Sequence, residues 1–285
     1  MIGGRWRTTP RRVVLAIAAI VTSSVVLLPF LWLILTSVKT RSDIFTYPPS
    51  WLPRELTLSA YVDLFTKSPF ADAGFLTFLR NSVIVAVASS ALSIILAALA
   101  GFSLSRHRFR GAWAFSVLIL VSQMLPETVL LIPLYWLIRD LGLVDSLQGL
   151  ILVYTALALP FSAWMLRSYF DAIPRELDEA ALMDGCGQVG VLGRVIMPLA
   201  MPGVAATFLF AFILAWNEYL FALVFLNDFD NYTISLALGS FRGQYLIDWN
   251  LLFAGSAVLT LPVLVMFLWL QQSLAQGLTA GAVRG

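Results

Sequence analysis

The chain has 285 residues, of which 60% are hydrophobic and only 12% charged, and its formal net charge is +2. A soluble domain carries about 25% charged residues, so this composition fits a bilayer solvent, crossed by helices of about 20 apolar residues. The small net charge gives nucleic-acid binding no electrostatic support, the single Cys186 excludes an intrachain disulfide, and the single His107 argues against an all-protein zinc site.

Hydropathy predicts an all-α polytopic membrane protein with six transmembrane helices. A segment of residues 1–12 precedes a single transmembrane domain over 13–285. Its spans fall at about 13–35, 83–104, 113–134, 147–166, 199–226 and 251–270, with a loop over 167–198 and a tail over 271–285. The first span follows Arg5, Arg7, Arg11 and Arg12. It is too long for a signal-peptide core and lacks a small-x-small cleavage site, so it reads as an uncleaved anchor. Pro126, Glu127 and Pro133 interrupt the third span. Putting both termini in the cytoplasm places eleven Lys and Arg inside, including Arg106, Arg167 and Arg175, against seven outside.

The outer segment from Thr36 to Leu79, with Pro48, Pro49, Pro53 and Trp51, reads as an irregular loop with a short helix at Ser59–Lys67. It either meets an external partner or rests on the bilayer surface. The outer segment from Asn227 to Asn250 is aromatic and polar, which suits sugar contact and equally an interfacial aromatic belt.

The segment from Glu176 to Pro198 has helix signals of its own. Pro174 suits a first helical turn, and Glu176, Asp178 and Glu179 complement the helix dipole. Leu177, Ala180, Ala181 and Asp184 are expected on one side, where the small alanines leave room for another surface. Gly185 and Gly187 end the helix. So short a helix is marginal alone in water and gains by docking. The alternative is a helix lying on the membrane, disfavoured by an apolar face of Ala and one Leu.

Glu179-Ala180-Ala181, then Gly185, then Val195-Ile196-Met197-Pro198 resemble the loop signature of permease subunits of binding-protein-dependent ABC importers. Val195 and Met197 stand where that family usually has Ile and Leu; both stay apolar. The resemblance runs over nearly the whole chain. Asn81-Ser82, Ala100-Gly101-Phe102, Leu131-Ile132-Pro133-Leu134-Tyr135, Leu159-Pro160-Phe161, Trp216-Asn217-Glu218 and the 276–281 tail look like the maltose-type sugar permeases. Within that group the chain is most similar to the smaller, six-span partner. The resemblance implies a heterodimeric pore with a second permease, two cytoplasmic ATP-binding subunits, an extracytoplasmic solute-binding protein and the bacterial inner membrane. It implies that Glu179, Ala180, Ala181, Asp184 and Gly185 form the joint to the ATPase, and that Gly277, Thr279 and Gly281 reach the ATPase dimer. It implies a di- or oligosaccharide as solute, with glycerol 3-phosphate or a glycerophosphodiester as the alternative.

A Walker A loop needs a lysine after glycine; the only lysines, Lys39 and Lys67, follow none. The chain is therefore no ATPase and binds no cofactor itself; ATP and magnesium belong on a partner. Two carboxylates, Glu127 and Glu218, fall within spans, where each costs roughly 2.5–3.5 kcal/mol unless it meets protein or water. Trp216, Asn217 and Glu218 either line the solute path or make interhelical hydrogen bonds. An ion-coupled secondary transporter would show inverted repeats and more buried ionisable groups. A membrane enzyme using Asp228, Asp230 and Asp248 matches no defensible motif.

Overall fold

The computed structural model describes residues 10–67, 73–107, 109–241 and 248–282, with side chains described over 13–67, 73–107, 109–241 and 248–271. Among the described residues every regular element is helical. Four helical stretches are long and apolar enough to cross a membrane: Val13–Ser37, Phe75–Arg106, Leu147–Asp171 and Trp249–Gln271. Two further helix pairs qualify together but are sharply bent, Ala112–Ser122 with Glu127–Asp140 by 104° and Gln188–Leu199 with Met201–Asn217 by 84°. Counting each bent pair as one span brings the total to six.

The first bend falls in the span that Pro126, Glu127 and Pro133 interrupt; the second falls at Ala200, where the fifth expected span begins, and a further break lies within that span at Glu218. Over 113–134 the first helix stops at Ser122, and a second starts at Glu127 and runs on to Asp140. Pro126 is extended (φ −60°, ψ 133°), offers no N–H and disfavours helix at the residue before it. Over 199–226 the helix stops at Asn217 because Glu218 is extended. The Glu218 carboxylate then accepts from the Phe221 N–H (2.8 Å) and the Ala222 N–H (3.2 Å), which starts the Leu220–Phe225 helix.

The chain divides into two compact units, Met1–Lys67 with Phe241–Val258, and Ser68–Ser240 with Leu259–Gly285. In the larger unit the Phe75–Arg106 helix packs along Leu147–Asp171, and Met201–Asn217 packs on both. Ser89, Ser93, Ala97 and Gly101, four residues apart, give the first helix a stripe of small residues that permits close approach. Along it Thr155 Oγ1 donates to Ser89 O (3.3 Å) and Ser93 Oγ to Ser162 Oγ (3.2 Å). At Gly101 an added Cβ would lie 3.0 Å from Arg167 N and 3.2 Å from Ala163 O.

In the smaller unit the helix Pro10–Ser37 is exposed along most of its apolar length and becomes buried at Thr36 and Ser37, with the buried Lys39 just beyond its end. The short helix expected in the following segment occupies Ser59–Thr66, and Tyr61 shares a 2.7 Å hydrogen bond with Ser37.

Candidate coupling site

The Glu176–Met183 helix is held against the end of the Phe75–Arg106 helix by a set of polar contacts. Arg106 Nε lies 2.5 Å from Asp178 Oδ2, with the two side chains 6% and 13% exposed. Arg106 Nη2 also donates to Ile173 O (3.1 Å), and Arg175 Nη2 returns a bond to Ser105 O (2.8 Å). Ser105 Oγ donates to Asp171 Oδ1 at 2.6 Å. Arg167 reaches Ser116 Oγ (2.7 Å) and pairs with Asp171 (3.5 Å). Three of the arginines counted toward the expected inside charge bias, Arg106, Arg167 and Arg175, thus brace this loop.

Ala181 departs from the face expected for it. It is 8% exposed and belongs to the apolar cluster that includes Ala98, Phe102, Phe170 and Ile196. Helical geometry explains this: Ala181 lies three residues after the inward-turned Asp178 and so shares its side, one residue round from Ala180. Glu179, Ala180, Asp184 and Gly185 remain exposed, joined by Met183 (89% exposed) and Val189 (79%). Those two apolar side chains escaped the sequence reading, because no periodicity separates an unpartnered apolar residue from a packed one.

The helix ends as its glycine predicts. Gly185 adopts φ +85°, its N–H donates to Leu182 O (3.0 Å), and the Cys186 N–H donates to Ala181 O (3.0 Å). This bond pair is the Schellman closure, which needs a left-handed residue at that position. The next segment, Gln188–Val191, continues through a π turn at Leu192–Ile196. Val191 and Ile196, both fully buried, anchor it in the same cluster.

Of the three residues at the end of the Met201–Asn217 helix, Trp216 is 1% exposed, and its indole N–H donates to Leu259 O (3.1 Å). Glu218 accepts a 2.5 Å hydrogen bond from Tyr154 on the Leu147–Asp171 helix, besides its two backbone donors. Only Asn217 presents its side chain at the surface. Glu127, at the other break, lines a cleft with Ser122, Gln123, Ala156 and Pro160. Asn81 donates to Asp230 O (2.7 Å) and Tyr232 O (3.0 Å), and Ser82 Oγ accepts from the Ile234 N–H (2.7 Å), so this pair fixes the loop after the Leu220–Phe225 helix. Asp228 serves that loop as a turn former, accepting from the Asp230 N–H (3.0 Å). Gly277, Thr279 and Gly281 lie on the last helix, Trp249–Ala282, and their side chains fall outside the described residues.

Helices long and apolar enough to cross a membrane, with every regular element among the described residues helical, mark a multi-pass membrane protein. The chain belongs to the family of binding-protein-dependent transport system inner membrane components, which matches residues 92–280. It is 36% identical over 269 residues to the diacetylchitobiose uptake system permease protein DasC of Streptomyces coelicolor, covering 94% of this chain and 96% of that one. It is 34% identical over 281 residues to the trehalose/maltose transport system permease protein MalG of Thermococcus litoralis, covering 96% and 98%. Its fold is that of a chain from a bacterial ABC transporter involved in alginate import, with a TM-score of 0.78 over 95% of this chain and 99% of that chain at 22% identity.

Proposed function

We propose that this chain is one permease subunit of an ATP-driven sugar importer of the bacterial inner membrane, with both termini cytoplasmic. It forms half of a heterodimeric pore with a second permease. A solute-binding protein delivers a di- or oligosaccharide to the outer face, and two separate subunits bind ATP and magnesium. The observation that carries this reading is the Glu176–Met183 helix, locked to the Phe75–Arg106 helix by Arg106 and Asp178 while Glu179, Ala180, Met183 and Asp184 face outward. A rigid joint with a bare outer face transmits a partner's motion into the spans. Gly185 ends the helix where the chain must turn back.

The sugar assignment is supported by relatives named for diacetylchitobiose and for trehalose and maltose. A solute-binding protein is supported by a structural neighbour solved with an alginate-bound periplasmic protein. Asn217 at one helix break, and Gln123 with Glu127 at the other, are the polar groups offered to solute hydroxyls. Purification from native membrane in mild detergent, with mass spectrometry of the co-purifying chains, tests the reading. A second permease, an ATPase and a solute-binding protein are the expected companions. Recovery of a lone chain that transports on an ion gradient without ATP would overturn it.

A further inference from the structure

The smaller unit contains a pocket that the transport reading does not use. It lies where the first apolar helix ends, and Trp32, Phe45, Trp249 and Phe253 form its walls. Lys39 is 2% exposed; its Nζ donates to Ser50 O (2.5 Å) and sits 4.6 Å above the Trp32 ring. Thr36, 3% exposed, lines the pocket, and its Oγ1 has no hydrogen-bond partner among the described residues. A buried lone hydroxyl costs about 1–3 kcal/mol, so something that binds it is favoured.

The hydrogen-bond inventory decides the chemistry of that ligand. An ammonium has three donors, and Lys39 Nζ spends one on Ser50 O, leaving donors to spare beside the Thr36 hydroxyl. The carboxylate in the pocket is already occupied. Asp43 accepts from Ser50 Oγ (3.1 Å) and the Arg54 N–H (3.0 Å), and Arg54 Nε stands 3.7 Å away. The Arg54 amide bond, ahead of the other contacts, holds the Asp43 carboxyl below the usual carboxylate range, so each of its oxygens stays an acceptor already engaged by a donor of the same loop. Free donors with few free acceptors suit an acceptor-only oxyanion better than a polyol, whose hydroxyls must also donate. The setting points the same way. The helix leading to the pocket is bare and apolar from Val13 to Leu31, and tryptophans gather at its end, as at a membrane–water interface.

We propose that this pocket binds the phosphate headgroup of a bilayer phospholipid, with Lys39 and the Thr36 hydroxyl donating to the phosphate and the acyl chains lying along the exposed flank of the Pro10–Ser37 helix.

The test is native mass spectrometry of the assembled transporter, delipidated and then titrated with phosphatidylglycerol. Lys39→Met is expected to weaken retention of one lipid roughly tenfold or more, as loss of a charge-assisted bond does. Thr36→Val, nearly isosteric and retaining the lysine, is expected to weaken it a few-fold; it keeps the test decisive if the lysine variant fails to assemble. Inorganic phosphate at the same concentration is expected not to displace the lipid. Unchanged retention in Thr36→Val would overturn the proposal. So would displacement by free phosphate, or a maltose complex that depends on Lys39.

Discussion

Arg106 closes the second membrane helix and Asp178 opens the loop helix, and their side chains meet at 2.5 Å with little exposure. Removing one member of so buried a pair strands the other, at a cost of about 3–5 kcal/mol. Arg106→Gln and Asp178→Asn are each expected to insert normally and lose most uptake, because the joint loosens. The pair itself is measured by a double-mutant cycle on thermal unfolding in detergent. Simple additivity of the two single variants would show that the contact carries no energy and that the brace lies elsewhere.

Gly185 separates backbone strain from docking. It holds φ +85°, and an added Cβ would meet nothing within 4 Å. A substitution therefore costs only the left-handed backbone, roughly 1–2 kcal/mol for Ala and less for Asn. Gly185→Ala should lower the thermal midpoint slightly and leave uptake measurable. Gly185→Asp and Glu179→Lys, which alter the exposed face, are expected to abolish uptake with the protein still inserted and solute binding by the external protein untouched. Vesicle uptake beside a membrane-insertion assay checks both. Normal transport by both variants would remove this face from the coupling path.

Gly101 marks a close backbone approach of two spans, with backbone atoms of Arg167 and Ala163 in the way of any side chain. Backbone atoms do not swing aside, so Gly101→Ala must separate the helices, at a cost of about 1–3 kcal/mol. Gly74 begins the same helix with open space around it and is the control. A lower midpoint is expected for Gly101→Ala but not for Gly74→Ala. Equal midpoints would mean that the small-residue stripe does not set the helix spacing.

The long spans were legible because twenty apolar residues in a row are a bulk property of the sequence. The break at Pro126 was legible too, marked by Pro126, Glu127 and Pro133; the break at Glu218 was not, since averaging over a window passes across a single residue. Glu218 was visible as a carboxylate in an apolar span; its partner Tyr154 stands 64 residues earlier and is found only once the helices are paired. The loop helix, its acidic start and its Gly185 stop were local signals and could be read directly. Which alanine faced inward was not a local question. It was settled by Asp178 reaching Arg106, which turned Ala181 into the core and Ala180 out.

That same Tyr154–Glu218 contact separates a structural carboxylate from a solute-lining one. Three donors converge on Glu218: the Tyr154 hydroxyl and the N–H groups of Phe221 and Ala222. Glu218→Gln turns one oxygen into an NH2 that cannot accept, and so leaves a donor unpaired at about 1–3 kcal/mol. Tyr154→Phe removes one donor and leaves the backbone pair intact, so its cost is expected to be smaller. If the contact is structural, both variants lower the thermal midpoint in that order, while the KM for solute uptake by the surviving protein is unchanged. Asn217→Ala, at the exposed position next door, is expected to show the opposite pattern, with stability kept and KM raised. A raised KM with full stability in Glu218→Gln would instead put that carboxylate on the solute path, with Tyr154 as the group that orients it.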